Sequence, residues 1–411
     1  MRTTLSRAIA KRNGFVFVDW VAYARFLPNM AQFEFATATR IIFGSNTATE
    51  LPKLIDSLQS KRPLVVTGKA ARYATVLQHL QGPIIFEVHG EPSVETATRG
   101  LDRAKSNACD SVIAIGGGSA IDVGKLIAVL VTNGGEPLDY MEVVGRGQKI
   151  TKPGLPFVAI PTTAGTGAEV TKNSVLSSPE HRVKASVRSP YMLPTAAIID
   201  PLLTVSVPPN VTASTGLDAF TQCLEPFVSK LANPLTDAIA REGIRHGAQS
   251  LRRAFENGQD VDARQGMCLC SLMGGLALAN SKLGAVHGFA GVLGGYCADA
   301  PHGAVCARLL PFVITSNVKA LSARDPDSPL LAKYDEAARI ITGDPFAKSH
   351  NAVTWIQQLC DVLNVPPLST YGLKKEDVPI VVEKASKSSS MKGNSIVLTD
   401  DELTSILMQA L

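Results

Sequence analysis

A chain of 411 residues with 45% hydrophobic and 18% charged side chains holds enough apolar material for a large packed core, and its length fits two domains or three. A formal net charge of +4, with no dense Lys/Arg patch interleaved with aromatics, argues against a nucleic-acid partner. No apolar run approaches the roughly 18 residues that a bilayer span needs, so no membrane partner is expected.

Residues 1–29 stand apart. Met1 to Asn13 carries Arg2, Arg7, Lys11 and Arg12 and no acidic residue, a pattern shared with organelle transit peptides. The segment is read as an extension outside the core, either sequence upstream of a start at Met30 or, less favoured, a targeting peptide. A chain beginning at Met30 is then expected to keep its stability and its cofactor binding. Residues 30–207 form the next expected unit. A strand-like stretch spans Phe33 to Phe43, and continuous apolar runs follow at Pro63–Thr67, Pro83–Phe86, Ser111–Ile115, Phe157–Ile160 and Ala196–Ile199. Such runs suit strands buried on both faces. Amphipathic stretches at Tyr73–Leu80 and Val94–Asn107 lie between them, which predicts a mostly parallel sheet covered by helices. Pro208-Pro209 marks a hinge, and residues 208–411 read as an all-α domain, with long helices over Pro234–Asn257 and Val261–Asn280. Ser388–Ser390 reads as a loop, and Thr399 caps the last helix.

The seven cysteines are odd in number and scattered. Cys268 and Cys270 are two apart on an expected helix and point in different directions, so they are poor joint ligands. Buried free thiols fit them best, and they suit a reducing, cytoplasmic compartment better than an oxidising one.

Two loops carry the chemistry. Gly116-Gly117-Gly118-Ser119 follows a buried strand and opens a helix through Asp122 and Lys125. Glycines let backbone N–H groups approach an anion, and a helix N-terminus adds partial positive charge, so the turn suits a pyrophosphate. The second loop, Pro161 to Val170, offers the hydroxyls of Thr162, Thr163 and Thr166 beside Gly165 and Gly167. Two such loops at the carboxyl ends of parallel strands define one crevice, where open α/β sheets bind ligands.

With Glu169-Val-Thr171, Lys184, Ser189-Pro190, Ile199-Asp200-Pro201, Thr215-Gly-Leu-Asp218, Leu283-Gly-Ala-Val-His287-Gly and Ala300-Pro-His302-Gly303, these loops resemble the motifs of the iron-containing (group III) alcohol dehydrogenases over residues 33–411. The resemblance implies the dehydroquinate synthase-like fold: a Rossmann-like α/β dinucleotide-binding domain, then a helical domain, with the site between them. It implies that Gly116, Gly117, Gly118, Ser119, Thr162, Thr163 and Thr166 bind NAD or NADP, that Asp122 and Lys184 line the nicotinamide side, and that Asp218, His287 and His302 hold a divalent ion, Fe²⁺ or Zn²⁺. A catalytic set of Asp122, Lys184 and His287 follows, as does a homodimer or larger assembly.

The sequence departs from the family pattern at Gln222, which stands where a ligand histidine is usual, one helical turn after Asp218. An amide oxygen is a weaker donor than imidazole to Fe²⁺ or Zn²⁺, so a weak or absent metal is expected. Gly291 replaces a second histidine that belongs to the family's proton path. The interval from His287 to His302 is one residue longer than usual. His79, His89, His181, His246 and His350 lie outside any motif and are read as non-catalytic. At the end of the strand Leu64–Thr67, NAD-preferring relatives carry an acidic residue that bonds the ribose 2′-OH. Gly68 and Lys69, with Arg72 a turn on, predict NADP(H) instead.

The expected function is hydride transfer between a nicotinamide cofactor and a small alcohol or aldehyde. Two alternatives stay open. One is a metal-independent reductase of the maleylacetate type, or an NAD-using lyase of the same superfamily. The other is a non-catalytic protein that keeps only cofactor binding.

Overall fold

The computed structural model describes residues 9–12, 15–18, 32–181, 183–297 and 300–411. The chain divides into two compact units, Met1–Phe35 and Ala36–Leu411. In the first, β1 (Ile9–Arg12) and β2 (Phe15–Val18) pair antiparallel, with Ile9 opposite Val18. The rest of the segment read as an extension, residues 1–29, lies outside the described residues.

The larger unit begins with a six-stranded sheet, β3 (Ile41–Phe43), β4 (Pro63–Thr67), β5 (Ile84–Glu87), β6 (Ser111–Gly116), β7 (Phe157–Pro161) and β10 (Ala196–Ile199), in the order β3-β10-β7-β6-β4-β5. Every pairing is parallel. The apolar runs are continuous because both faces are covered. Leu64 and Val66 of β4 pack with Leu101 of α3 (Val94–Ser106) and with Leu126 and Ile127 of α4 (Gly118–Asn133). Val65 points the other way, onto Leu51 and Leu54 of α1 (Leu51–Ser57). Between α1 and α3 lies the one-turn α2 (Ala74–Leu77), shorter than the helix expected over Tyr73–Leu80. The expected strand from Phe33 shrinks to Ile41–Phe43. An antiparallel hairpin, β8 (Asn173–Ser178) with β9 (Val183–Arg188), stands apart from the main sheet. The short α5 (Pro137–Tyr140) follows α4.

The second half is helical: α6 (Pro209–Phe227), α7 (Pro234–Glu256), α8 (Val261–Ser281), α9 (Ala285–Leu293), α10 (His302–Arg324), α11 (Pro329–Thr342), α12 (Ser349–Val362), α13 (Val378–Ser386) and α14 (Asp400–Ala410). Pro209 opens α6 at its first turn, where a missing N–H costs nothing. Asn233 caps α7, and Thr399 forms a capping box with Glu402 on α14. The serine stretch read as a loop runs into a 3-10 turn, Ser390–Gly393. By length and composition alone α10 passes for a bilayer span, but 67% of its apolar window is buried inside the protein. It is the core helix of this half, flanked by α6, α12 and α14.

The two halves meet at backbone distance. Gly167 has φ 58° and lies against α8, where a Cβ would come within 2.5 Å of Gly275 Cα and 2.7 Å of Ser271 O. The threonine loop therefore presses directly on the helical half. Asn280 adds a clamp, accepting from Ala36 N at 2.7 Å and donating to Ala36 O at 3.0 Å.

Candidate active site

Adjacent parallel strands bring the two expected cofactor loops together. Gly116 pairs with Pro161 at the ends of β6 and β7, and Thr162 N donates to Gly116 O at 2.9 Å. A Cβ at Gly117 would sit 3.2 Å from Thr163 Oγ1, and one at Gly118 would sit 2.8 Å from Thr166 Cγ2. The glycines thus let the threonine loop lie on the first turn of α4. Ser119 is in that turn. Tyr73, assigned no role from sequence, meets Thr162 Oγ1 at 3.0 Å and extends the hydroxyl row.

Beyond the end of β4, a Cβ on Gly68 would meet nothing within 4 Å. Lys69 and Arg72 are exposed. The end of the neighbouring strand β5 brings an acid to this turn: Glu87 Oε1 accepts from Ala70 N at 2.8 Å.

Deeper in the crevice, Asp122 accepts from Val175 N at 3.0 Å, which ties α4 to the hairpin. Burial raises its carboxyl to about 6, against the pull of Lys125 and that N–H bond. Lys125 is fully buried and donates to Ala168 O, Asn173 O and Thr171 Oγ1 at 2.8, 2.8 and 3.1 Å. Burial lowers its ammonium to about 8, opposed by Asp122 and Glu169. Lys125 therefore holds the threonine loop to α4. Lys184, on β9, pairs with Glu91 at 3.1 Å and runs along Gly294 at the end of α9. It bridges the sheet half and the helical half, close to the helix that carries His287.

The ligand candidates converge. Asp218 on α6, His287 in the first turn of α9 and His302 at the start of α10 meet in one pocket. Asp218 Oδ1 lies 3.2 Å from His287 Nε2 and 3.9 Å from His302 Nε2. Gly303 permits the approach, because a Cβ there would collide with Ser214 O. His302 is 44% exposed at its side chain, so the pocket opens to solvent on that side, whereas Asp218 and His287 are buried. Gly291 is exposed, with open space where a Cβ would be.

Two further residues belong to the pocket and were missed. Glu225 Oε2 accepts from His287 Nδ1 at 2.7 Å, and its Oε1 accepts from Val286 N at 2.7 Å. Cys306 Sγ lies 3.8 Å from Nε2 of both His287 and His302. Helical spacing was the available signal. Glu225 falls two turns after Asp218, and Cys306 one turn after His302. All seven cysteines are free and buried, as expected.

The pocket is built for positive charge. Burial works against charge on Asp218, yet the His287 hydrogen bond, the charges of His302 and His287 and the Gln222 hydrogen bond hold its carboxyl below the usual range. Burial likewise opposes charge on His287, but Cys306, Asp218 and Glu225 raise its imidazole well above the ordinary value. Cys306 and Asp218 raise His302 in the same direction. Gln222 Oε1 is buried with no hydrogen-bond partner, an acceptor that a cation would satisfy. An acid, two imidazoles and a thiol, with ligand atoms all within 4.8 Å of one another, fit a divalent metal.

Comparison with known proteins agrees along the chain. Residues 38–201 match the family model "Iron-containing alcohol dehydrogenase", and residues 212–411 match "Fe-containing alcohol dehydrogenase family, C-terminal". Alcohol dehydrogenase 4 of Schizosaccharomyces pombe is 35% identical over 380 residues, which are 90% of this chain and 87% of that protein. A crystal structure of 1,3-propanediol oxidoreductase superposes with a TM-score of 0.85 at 32% identity, covering 93% of this chain and all of the other. Sulfoacetaldehyde reductase from Bifidobacterium kashiwanohense, solved in complex with NAD⁺, gives a TM-score of 0.83 at 28% identity, covering 92% of this chain and 98% of that one.

Proposed function

The chain belongs to the iron-containing alcohol dehydrogenase family of oxidoreductases, and from that premise we propose how its own residues divide the work of hydride transfer between a nicotinamide cofactor and a small alcohol or aldehyde. Residues 30–207 are the dinucleotide-binding domain and residues 208–411 the metal and substrate domain. Gly116, Gly117, Gly118 and Ser119 hold the pyrophosphate on the N-terminus of α4, and Thr162, Thr163 and Thr166 bond the phosphates and ribose. Asp122 and Lys184 flank the nicotinamide side. Gly68, Lys69 and Arg72 take the adenosine end and favour NADP(H).

Asp218, His287 and His302 hold the metal, with Gln222 in the position of the usual fourth ligand. A bound divalent ion supplies Lewis acidity, which polarises a carbonyl oxygen and stabilises the developing alkoxide, and the nicotinamide carries the hydride. The protein's part is placement and protons. Glu225 fixes the proton on His287 Nδ1 and leaves Nε2 free to face an ion. With Gly291 in place of a histidine, protons reach solvent through the opening beside His302. Assembly into a homodimer or larger belongs to the same proposal and is checked by sedimentation.

The convergence of Asp218, His287 and His302 on one buried pocket carries this assignment. A screen of cofactor oxidation across short aldehydes, ketones and keto acids, run with metal content measured on the same sample, tests it. Aldehyde reduction that tracks metal content supports it. Turnover of unsaturated keto acids without metal favours the maleylacetate reductase alternative, and cofactor binding with no turnover at all favours a non-catalytic protein.

A further inference from the structure

Gln222 leaves the metal pocket one strong donor short, and α10 brings a replacement. Cys306 is one turn after His302, fully buried, and its Sγ is 3.8 Å from each of the two imidazole Nε2 atoms. A tetrahedral zinc ion with Zn–S about 2.3 Å and Zn–N about 2.0–2.1 Å sets sulfur and nitrogen roughly 3.6 Å apart, and its nitrogen and oxygen ligands roughly 3.4 Å apart. The four atoms of this pocket already stand near those separations, at 3.8 and 3.8 Å for the sulfur pairs and 3.2 and 3.9 Å for the Asp218 pairs. All six separations lie within 4.8 Å, so movements on the order of an ångström close them on an ion. We infer that Cys306 is the fourth metal ligand of this chain, giving an Asp218–His287–His302–Cys306 donor set that selects Zn²⁺ over Fe²⁺. A thiolate is the softest donor available to a protein and shifts preference toward zinc, whereas the usual oxygen and nitrogen set is compatible with iron. Gln222, whose amide bonds Asp218, then stands beside the ion, its unpartnered Oε1 a weak outer contact and not one of the four donors.

The inference rests on the proposal that Asp218, His287 and His302 bind metal, and the experiment separates the two. The full chain is stripped of metal anaerobically and titrated with Co²⁺, whose bonds to thiolate give a charge-transfer absorption in the near ultraviolet. Wild type should show this band at one equivalent. Cys306→Ser and Cys306→Asn should bind Co²⁺ without it, and Gln222→Ala should keep it. Zinc affinity, measured by chelator competition, should fall about ten-fold or more in the Cys306 variants, equal to about 1.4 kcal/mol. If either variant fails to fold, X-ray absorption of the zinc-loaded wild type decides alone, with one sulfur neighbour at about 2.3 Å expected. Stoichiometric Co²⁺ with no thiolate band, or zinc with no sulfur neighbour, overturns the role of Cys306 and leaves the metal site standing. Failure of wild type to bind Co²⁺ or Zn²⁺ overturns both.

Discussion

His287 Nδ1 donates to Glu225 Oε2 at 2.7 Å, and that bond aims Nε2 of the same ring at Asp218 Oδ1, 3.2 Å away. The carboxylate–imidazole pair is a second layer of support beneath the metal pocket, because it fixes the ring's tautomer and angle. Glu225→Gln should keep the fold and weaken zinc binding about 10–100-fold. Chelator competition measures it, and unchanged affinity would show that packing alone orients His287.

Gln222→His adds an imidazole one turn from Asp218, on the buried face of α6. Imidazole binds first-row divalent ions better than a neutral amide. Loaded with Fe²⁺ and dialysed, the variant should hold more metal by elemental analysis, with affinity tighter by about ten-fold; Zn²⁺, already favoured by the Cys306 thiolate, should gain less. Full and equal occupancy in both proteins would show that Gln222 costs the site nothing. Activity need not follow, since the pocket is shaped around the amide.

The open space at Gly68, with Lys69 and Arg72 beside it, should make kcat/KM higher with NADP(H) than with NAD(H). Gly68→Asp places a carboxylate where a 2′-phosphate would lie and should reverse the preference. Glu87, held on Ala70 N, works against the phosphate, so Glu87→Gln should widen the preference. A ten-fold advantage for NAD(H) in the wild type contradicts the assignment.

Glu169 is buried, and burial raises its carboxyl from 4.5 to about 7, against the pull of its own backbone N–H and of Lys125. An acid with a raised folded-state pKa adds stability that is full below the unfolded pKa. That stability is lost as pH climbs through the folded pKa. Relative to Glu169→Gln, the wild type should therefore lose stability between about pH 4.5 and 7 and stay level above. The full difference is on the order of 3 kcal/mol, at about 1.36 kcal/mol per pKa unit. Melting temperatures of both proteins across that range check it, and parallel curves would show that Glu169 titrates normally.

The strands of the central sheet were legible because burial on both faces makes each an unbroken apolar run, as in Ser111–Ile115 and Phe157–Ile160. The hairpin was not. Asn173–Ser178 and Val183–Arg188 mix serines and charges with buried residues, because the hairpin lies outside the main sheet and only alternate residues along it are fully buried. Phe33 was over-read for the opposite reason, an apolar side chain left 43% exposed. In the site, Asp218, His287 and His302 were legible only through their motifs, since a lone histidine or aspartate carries no signal by itself. Glu225 and Cys306 were within reach of helical spacing. They escaped because a glutamate in a helix reads as surface, and a scattered cysteine reads as core.

The metal dependence of turnover tests the account most directly. The protein is stripped of metal anaerobically, and NADPH oxidation with a short aldehyde is followed before and after one equivalent of Zn²⁺ or Fe²⁺ is returned. The account predicts that turnover falls with metal content, returns on reloading, and does not return in Asp218→Ala or His287→Ala. Undiminished turnover in the stripped protein, with elemental analysis showing no residual metal, would contradict it.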